Sequence, residues 1–398
     1  MQNKNKWLYM AGNGCSSVGD GLQNIAMAWL IMQLTGSGFA LGLMIAITYL
    51  PPLLLAPWAG VFSDSRDSKR TVVIVDLVRS LIIGSMVVML YFDIFSMVFL
   101  YLLQGLLAFT NLMFKPASQS LVKETFSESE MVSVLSKASS LNLTSALIGG
   151  GMAGWLIAEY SPLLCLAFTS VNYLISAACN SQLQRIDCRV IKKANVEFME
   201  GIKGGWNFLV YKEGMLYLLF LSVISSASLQ MANAIMAPYV INYLNGSSYL
   251  FTVLEISYGI GGVISGLLVS KALARWKQNV SLITLVGMGV FSFLTGFREW
   301  TVLIVLCVFG LGFFTMFHLV TMQTLIQVNT PKEIIGSVAG LRSIIASLTK
   351  IVSGLLAGYF VDVIDIHYIF WGFSGIVFLT LLTTRHSRKI PIPESIRM

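Results

Sequence analysis

The sequence predicts an all-α membrane protein with twelve transmembrane helices arranged as two pseudo-symmetric six-helix bundles. Three observations predict it. First, the 398 residues are 56% hydrophobic and only 11% charged, with a mean hydropathy of +0.77. A soluble domain carries about 25% charged residues, so this chain has too little polar material to cover a water-facing surface. Second, apolar runs recur along the whole length, each long enough to cross a hydrocarbon core of about 30 Å. Such runs satisfy their backbone groups internally as helices. Third, the basic residues fall in alternate loops, as the retention of positive charge on the cytoplasmic side requires.

The expected spans are 7–33, 40–63, 72–92, 94–118, 132–159, 163–183, 214–244, 248–272, 278–297, 300–328, 336–360 and 366–385. The run from Trp7 to Gln33 is too long for the apolar core of a secretory signal and is expected to be the first span. Lys4 and Lys6 precede it. Arg66, Lys69 and Arg70 occupy the second loop, Lys123 the fourth, and Arg185, Arg189, Lys192, Lys193, Lys203 and Lys212 the sixth. Lys271, Arg275 and Lys277 lie in the eighth, Lys332 in the tenth, and Arg385, Arg388 and Lys389 in the tail, whereas the intervening loops hold only Arg298. The expected protein is therefore a multi-pass component of the plasma membrane with both termini cytoplasmic. This loop bias also explains the net charge of +7 without a nucleic-acid partner.

The long sixth loop divides the chain into a first bundle (1–183), a cytoplasmic linker (184–213), a second bundle (214–386) and a tail (387–398). The linker segment 198–209 mixes charge with aromatic and aliphatic residues, the composition of a helix lying in the membrane interface. The halves share an internal repeat. Gly36-Ser37 and Gly246-Ser247 lie 210 positions apart, Gly60 and Gly266 lie 206 apart, and Ser133-Val134 and Ser337-Val338 lie 204 apart, as do Gly154 and Gly358.

Charges inside spans are costly, about 2.5–3.5 kcal/mol each on insertion scales, so they mark candidate sites. Asp20 sits near the middle of the first span, with Asn13, Ser16, Ser17 and Asn24 near it at helical spacing. Taking a carboxylate out of water disfavours its charged form. Asp20 is therefore the leading candidate for proton coupling, although it could equally be a structural acid bonded to nearby hydroxyls. Glu255 in span 8 is a second proton-coupling candidate, and Lys350 lies near the middle of span 11. Those two could pair, or Lys350 could meet an anionic substrate. Gln104 and Asn111 in span 4 and Gln230 and Asn233 in span 7 make further polar stripes. His318 in span 10 reads either as a cavity residue or as a core histidine. Arg79, Lys137 and Arg342 lie close enough to the cytoplasmic side to snorkel.

The segment Gly60-Val61-Phe62-Ser63-Asp64-Ser65-Arg66-Asp67-Ser68-Lys69-Arg70, followed by Asp76 and Arg79, resembles the Gly-x-x-x-Asp-Arg-x-x-Arg-Arg signature of the major facilitator superfamily. Thr35-Gly36-Ser37, Phe114-Lys115-Pro116-Ala117 and Pro238-Tyr239 add to the resemblance, which is strongest to the branch of macrolide efflux proteins and siderophore or metallophore exporters. Ser65 and Ser68 stand where that signature has arginines, Tyr101 replaces the arginine of an antiporter motif beside Gln104-Gly105, and Gly150 replaces a proline in Gly149-Gly150-Gly151-Met152-Ala153-Gly154.

The resemblance implies the major facilitator fold and a central cavity lined by spans 1, 4, 7 and 10. On that basis Asp20, Asn24, Gln104, Asn111, Gln230, Asn233, His318 and Lys350 are its expected lining. Gly60, Asp64, Arg66, Lys69, Arg70, Asp76 and Arg79 are the expected conformational gate, in which Asp64 accepts hydrogen bonds or faces a helix N-terminus and Gly60 permits close helix approach. The implied function is secondary, proton-coupled antiport of an amphiphilic small molecule outward through alternating access. An uptake permease of the same fold and a non-transporting receptor are the rival readings. No Gly-x-x-x-x-Gly-Lys-Ser/Thr loop, Gly-x-Ser-x-Gly elbow or His-Glu-x-x-His pair occurs. Neither ATP-driven work nor an enzyme is therefore expected. The five cysteines (Cys15, Cys165, Cys179, Cys188 and Cys307) show no metal-like spacing. The expectation is a monomer that needs no metal or cofactor and whose partners are its substrate, protons and the lipid bilayer.

Overall fold

The computed structural model describes residues 2–64, 67–94, 96–185, 198–276, 279–297, 300–331 and 334–383. These residues form thirteen α-helices: α1 (Gln2–Thr35), α2 (Gly38–Asp64), α3 (Ser68–Tyr91), α4 (Met97–Thr125), α5 (Glu128–Glu159), α6 (Pro162–Ser181), α7 (Phe198–Tyr211), α8 (Met215–Pro238), α9 (Ser248–Trp276), α10 (Val280–Thr295), α11 (Thr301–Val328), α12 (Ile335–Val363) and α13 (Ile366–Thr383). Among the described residues nine helices are long and apolar enough to cross a bilayer, and α10 and α13 are apolar but shorter. α1 is 34 residues long and carries the polar stripe around Asp20. α7 is the short helix of the linker, and it packs on α12. This is the all-helical fold that the sequence predicts.

Local chemistry sets several boundaries. Asp67 caps α3 by accepting a hydrogen bond from the Arg70 backbone N–H, and Ser161 caps α6 through the Leu164 N–H, with Pro162 in the first turn. Both use side-chain oxygens on backbone donors that a helix start leaves open. α4 runs past the expected end at 118 to Thr125 with Pro116 inside it; the ring removes one N–H but does not stop the helix. After α8, residues Tyr239–Tyr243 form a π turn, and the Tyr239 hydroxyl donates to the Thr295 carbonyl.

The chain forms two compact units, residues 1–34 with 47–195, and 35–46 with 196–398. In the first, α3 packs mainly on α6 and α4; in the second, α11 packs on α9, α10 and α8, and α12 on α8. Within each unit, glycines let two helices meet at backbone distance. Gly21 of α1 lies against the Ala146 carbonyl and Gly149 of α5 against the Val18 carbonyl, where a Cβ would overlap those atoms. Gly261 of α9 and Gly312 of α11 make the matching approach to the Phe309 and Tyr258 carbonyls. The start of α2 belongs to the second unit. There Asp362 of α12 accepts from the Ser37 hydroxyl at 2.6 Å, the Gly38 N–H at 2.6 Å and the Phe39 N–H at 3.0 Å, after Gly36 has turned through a left-handed φ of 64°.

Candidate functional site

The first unit contains a continuous polar chain through its interior. Asp76 and Arg79 stand three residues apart on α3, so they share a helix face, and their side chains meet at 3.3 Å. Both are buried, at 0% and 2% exposure. Packing of α3 on α6 brings up two residues that also share one face. The Ser176 hydroxyl donates to Asp76 at 2.7 Å and accepts from the Asn180 amide at 3.3 Å. Tyr173 lies with its ring 5.5 Å from the Arg79 guanidinium, whose other aromatic neighbour is Phe114 at 4.2 Å. The Tyr173 hydroxyl donates to Asp20 of α1 at 2.7 Å and reaches Gln23 at 3.4 Å. Gln23 then donates to Gln104 of α4 at 3.3 Å, and Gln104 to the Thr48 hydroxyl at 3.0 Å.

Arg79 therefore corrects one expectation: it does not snorkel. An adjacent carboxylate and two ring faces hold the guanidinium inside the bundle, where cation–π attraction gains from the absence of water. The set contains two carboxylates and one cation. Asp76 and Arg79 neutralise each other, and among the described residues Asp20 forms no ion pair. Asp20 is half-buried on α1. Tyr173 connects its state to the Asp76–Arg79 pair on one side and to Gln23 and Gln104 on the other.

A second cluster lies at the start of α3. Arg185 grips Asp67 with two nitrogens at 2.7 and 2.9 Å and reaches Glu124 at 3.2 Å; Ser68 donates to Glu124 at 2.6 Å. Lys69 donates to the Leu183 carbonyl at 2.9 Å. Partial burial opposes the charge on Asp67, but the Arg70 backbone N–H and the Arg185 guanidinium outweigh it and hold this carboxyl below its ordinary range. Nearby, Lys6 donates to Glu130 at 2.7 Å, which lowers the carboxyl of Glu130 in the same direction.

Of the expected gate, Lys69 and Arg70 lie at the start of α3, and Asp76 and Arg79 further along it. The surroundings of Gly60 and the side chain of Asp64, and all of Arg66, lie outside what the structure describes. Asp76 and Arg79 sit inside the bundle with Tyr173, apart from the Asp67–Arg185 cluster. Of the expected cavity lining, Asp20 and Gln104 are joined through Tyr173 and Gln23, Asn111 is half-buried on α4, and Asn24 is exposed. In the second unit Gln230 is buried and Asn233 exposed on α8, while Glu255 of α9 and Lys350 of α12 are half-buried. His318 is fully buried, its Nδ1 2.7 Å from the Thr284 hydroxyl of α10. Sequence reasoning missed Tyr173, Gln23, Ser176, Asp67, Glu124 and the structural part played by Arg185. Tyr173, Ser176 and Asn180 at helical spacing in span 6 were the available signal.

A family model described as transmembrane secretion effector matches residues 2–394. The chain belongs to this family of the major facilitator superfamily. Its members are transporters and not enzymes. Macrolide efflux protein A of Streptococcus pyogenes is 21% identical over 382 residues, covering 93% of this chain and 94% of that protein. The multidrug efflux pump Tap of Mycolicibacterium fortuitum is 24% identical over 377 residues, with 90% of each chain covered. In three dimensions the nucleoside transporter NupG superposes with a TM-score of 0.81 at 14% identity, over 97% of this chain and all of the other, and so shares the fold. The protein is a multi-pass membrane transporter with efflux proteins among its relatives.

Proposed function

We propose that this transporter exports an amphiphilic small molecule, either a drug or a siderophore-like metallophore, across the plasma membrane in exchange for protons. Both termini lie in the cytoplasm, and a monomer completes the cycle by alternating access. Residues 1–183 and 214–386 form the two bundles, 184–213 the linker and 387–398 the tail. Relatives named for macrolide and multidrug efflux favour the outward direction. The observation that carries the coupling is the hydrogen bond from Tyr173 to Asp20 beside the Asp76–Arg79 pair. An ionised Asp20 accepts a hydrogen bond from the Tyr173 hydroxyl. Once protonated, Asp20 becomes a donor, so Tyr173 turns toward Gln23 and rearranges the Gln23–Gln104 contact. Protonation is thereby converted into a change of side-chain partners on α1, α4 and α6.

Inside-out proteoliposomes with an acidic lumen test this reading, with a macrolide and a cationic dye as probes. Both probes should accumulate in the lumen, a protonophore should abolish accumulation, and Asp20→Asn should reduce gradient-driven uptake at least about tenfold, the loss of one essential transition-state interaction worth about 1.4 kcal/mol. Undiminished gradient-driven transport by Asp20→Asn removes Asp20 from coupling. Comparison of deletion and parent cells tests direction. Raised intracellular probe on deletion supports export, lowered probe an uptake permease, and unchanged probe a receptor.

A further inference from the structure

We propose that the bilayer-facing groove between α3 and α4 is a binding site for one anionic phospholipid, with an acyl chain between the helices and the phosphate at Arg70. The groove encloses about 650 Å³ and runs from Asp67 and Arg70 down Ile74 and Val78 of α3, with Leu106 and Phe109 of α4 opposite. Its walls are exposed as well as apolar: Ile74 is 57%, Val78 37%, Leu106 54% and Phe109 42% accessible. Both helices are membrane-spanning in length and apolarity, so in a bilayer this exposed apolar surface meets hydrocarbon, and a lipid tail suits it. The lining extends from Asp67 to Ile82, about 22 Å of helix at 1.5 Å per residue. That is one leaflet's depth, about 15 Å, plus the headgroup region.

Charge selects the headgroup. At the mouth of the groove, Asp67 is committed to the two-pronged contact with Arg185 and to capping α3. Arg70 touches that carboxylate only at 3.9 Å, and its side chain is 84% exposed. Thr71 spends its hydroxyl on the Asp67 carbonyl. The guanidinium thus presents most of its donors outward at headgroup level, and its planar fork matches a phosphate. A zwitterionic lipid cancels part of that attraction; an anionic one keeps it all. The inference requires that α3 and α4 span the bilayer, and it is independent of cargo, coupling ion and direction of transport.

Native mass spectrometry of the full chain, released from micelles doped with phosphatidylglycerol and phosphatidylcholine of identical acyl chains, reads the site directly. The parent protein should retain phosphatidylglycerol about fivefold over phosphatidylcholine, the weight of one interfacial basic residue. Arg70→Gln should bring that ratio to about one. Leu106→Trp, which fills the groove from an exposed position, should reduce retention of both lipids; Val78→Trp does the same from the opposite wall and serves if the first variant fails to fold. Arg275→Gln, an exposed arginine on α9, should leave the ratio unchanged. Equal retention of both lipids by the parent overturns the proposal, as does a ratio insensitive to Arg70→Gln or equally sensitive to Arg275→Gln. Retention unaffected by both tryptophans reduces the contact to a headgroup at the surface and overturns the groove.

Discussion

The two compact units have their helices crossing on glycines in the same way, yet they fill their polar interiors with different chemistry. The first buries ions: Asp76 with Arg79, linked through Tyr173 to Asp20. The second joins neutral partners, Ser228 to Thr315 at 3.0 Å and His318 to Thr284 at 2.7 Å. It adds an aromatic cluster in which Tyr239 stacks on Tyr243 and meets Phe370 edge-on. Hydrogen bonds between uncharged groups place no net charge in the helix interface, whereas an ion pair buries two charges, either of which is costly once its partner is lost. A shared scaffold thus carries a buried ion pair in one half and hydrogen bonds between uncharged side chains in the other.

The largest expected effect breaks the ionic half. Arg79→Gln strands Asp76 as a buried carboxylate, and loss of one partner of such a pair costs about 3–5 kcal/mol. The variant should melt well below the parent in detergent. Adding Asp76→Asn should restore most of the difference, because the orphaned charge is gone, while gradient-driven transport stays impaired. A double variant no more stable than the single one would show that Asp76 and Arg79 do not act as a pair.

A smaller effect is expected in the neutral half. Thr284→Val removes the partner of a buried His318 nitrogen, and an unsatisfied buried polar group costs about 1–3 kcal/mol. The variant should lose thermal stability but keep the parent's ratio of gradient-driven to downhill transport. A collapse of that ratio would place proton response in both halves and end the contrast.

The fold was legible in the sequence because lipid leaves few alternatives. Apolar runs of the right length become helices, and loop charges order them. Asp20 stood out for the same reason, since an acid in an apolar run is conspicuous. What the sequence concealed is partnership. Tyr173 and Ser176 do not stand out among the other polar residues of α6, and only the packing of α6 on α3 turns them toward Asp20 and Asp76. Arg79 reads as a residue that snorkels because its depth suggests that, while its actual surroundings come from Phe114 and Tyr173 on other helices. Arg185 lies among linker residues whose charge is explained by topology alone, so nothing local marks it as the partner of Asp67, 118 positions earlier.

The smallest effect concerns that pair, which lies outside the spans and sharpens the comparison by adding an ionic contact with solvent access. Asp67 is held below its ordinary range by the Arg70 N–H and by Arg185, against the opposing effect of its partial burial. A lowered folded-state value means that the native state binds fewer protons than the unfolded chain, so the stabilisation is fully present above the ordinary carboxylate range. It is lost as pH falls from there through the folded value. Because Asp67 is about a third exposed, solvent screens the contact, and Asp67→Asn should cost no more than about 1 kcal/mol at neutral pH. The melting difference between parent and variant should then shrink toward zero on acidification into and below that range. A difference that stays constant would show that the loss does not come from the ion pair with Arg185, since a neutral Asn side chain can still accept from the Arg70 N–H and keep the cap but cannot form that pair.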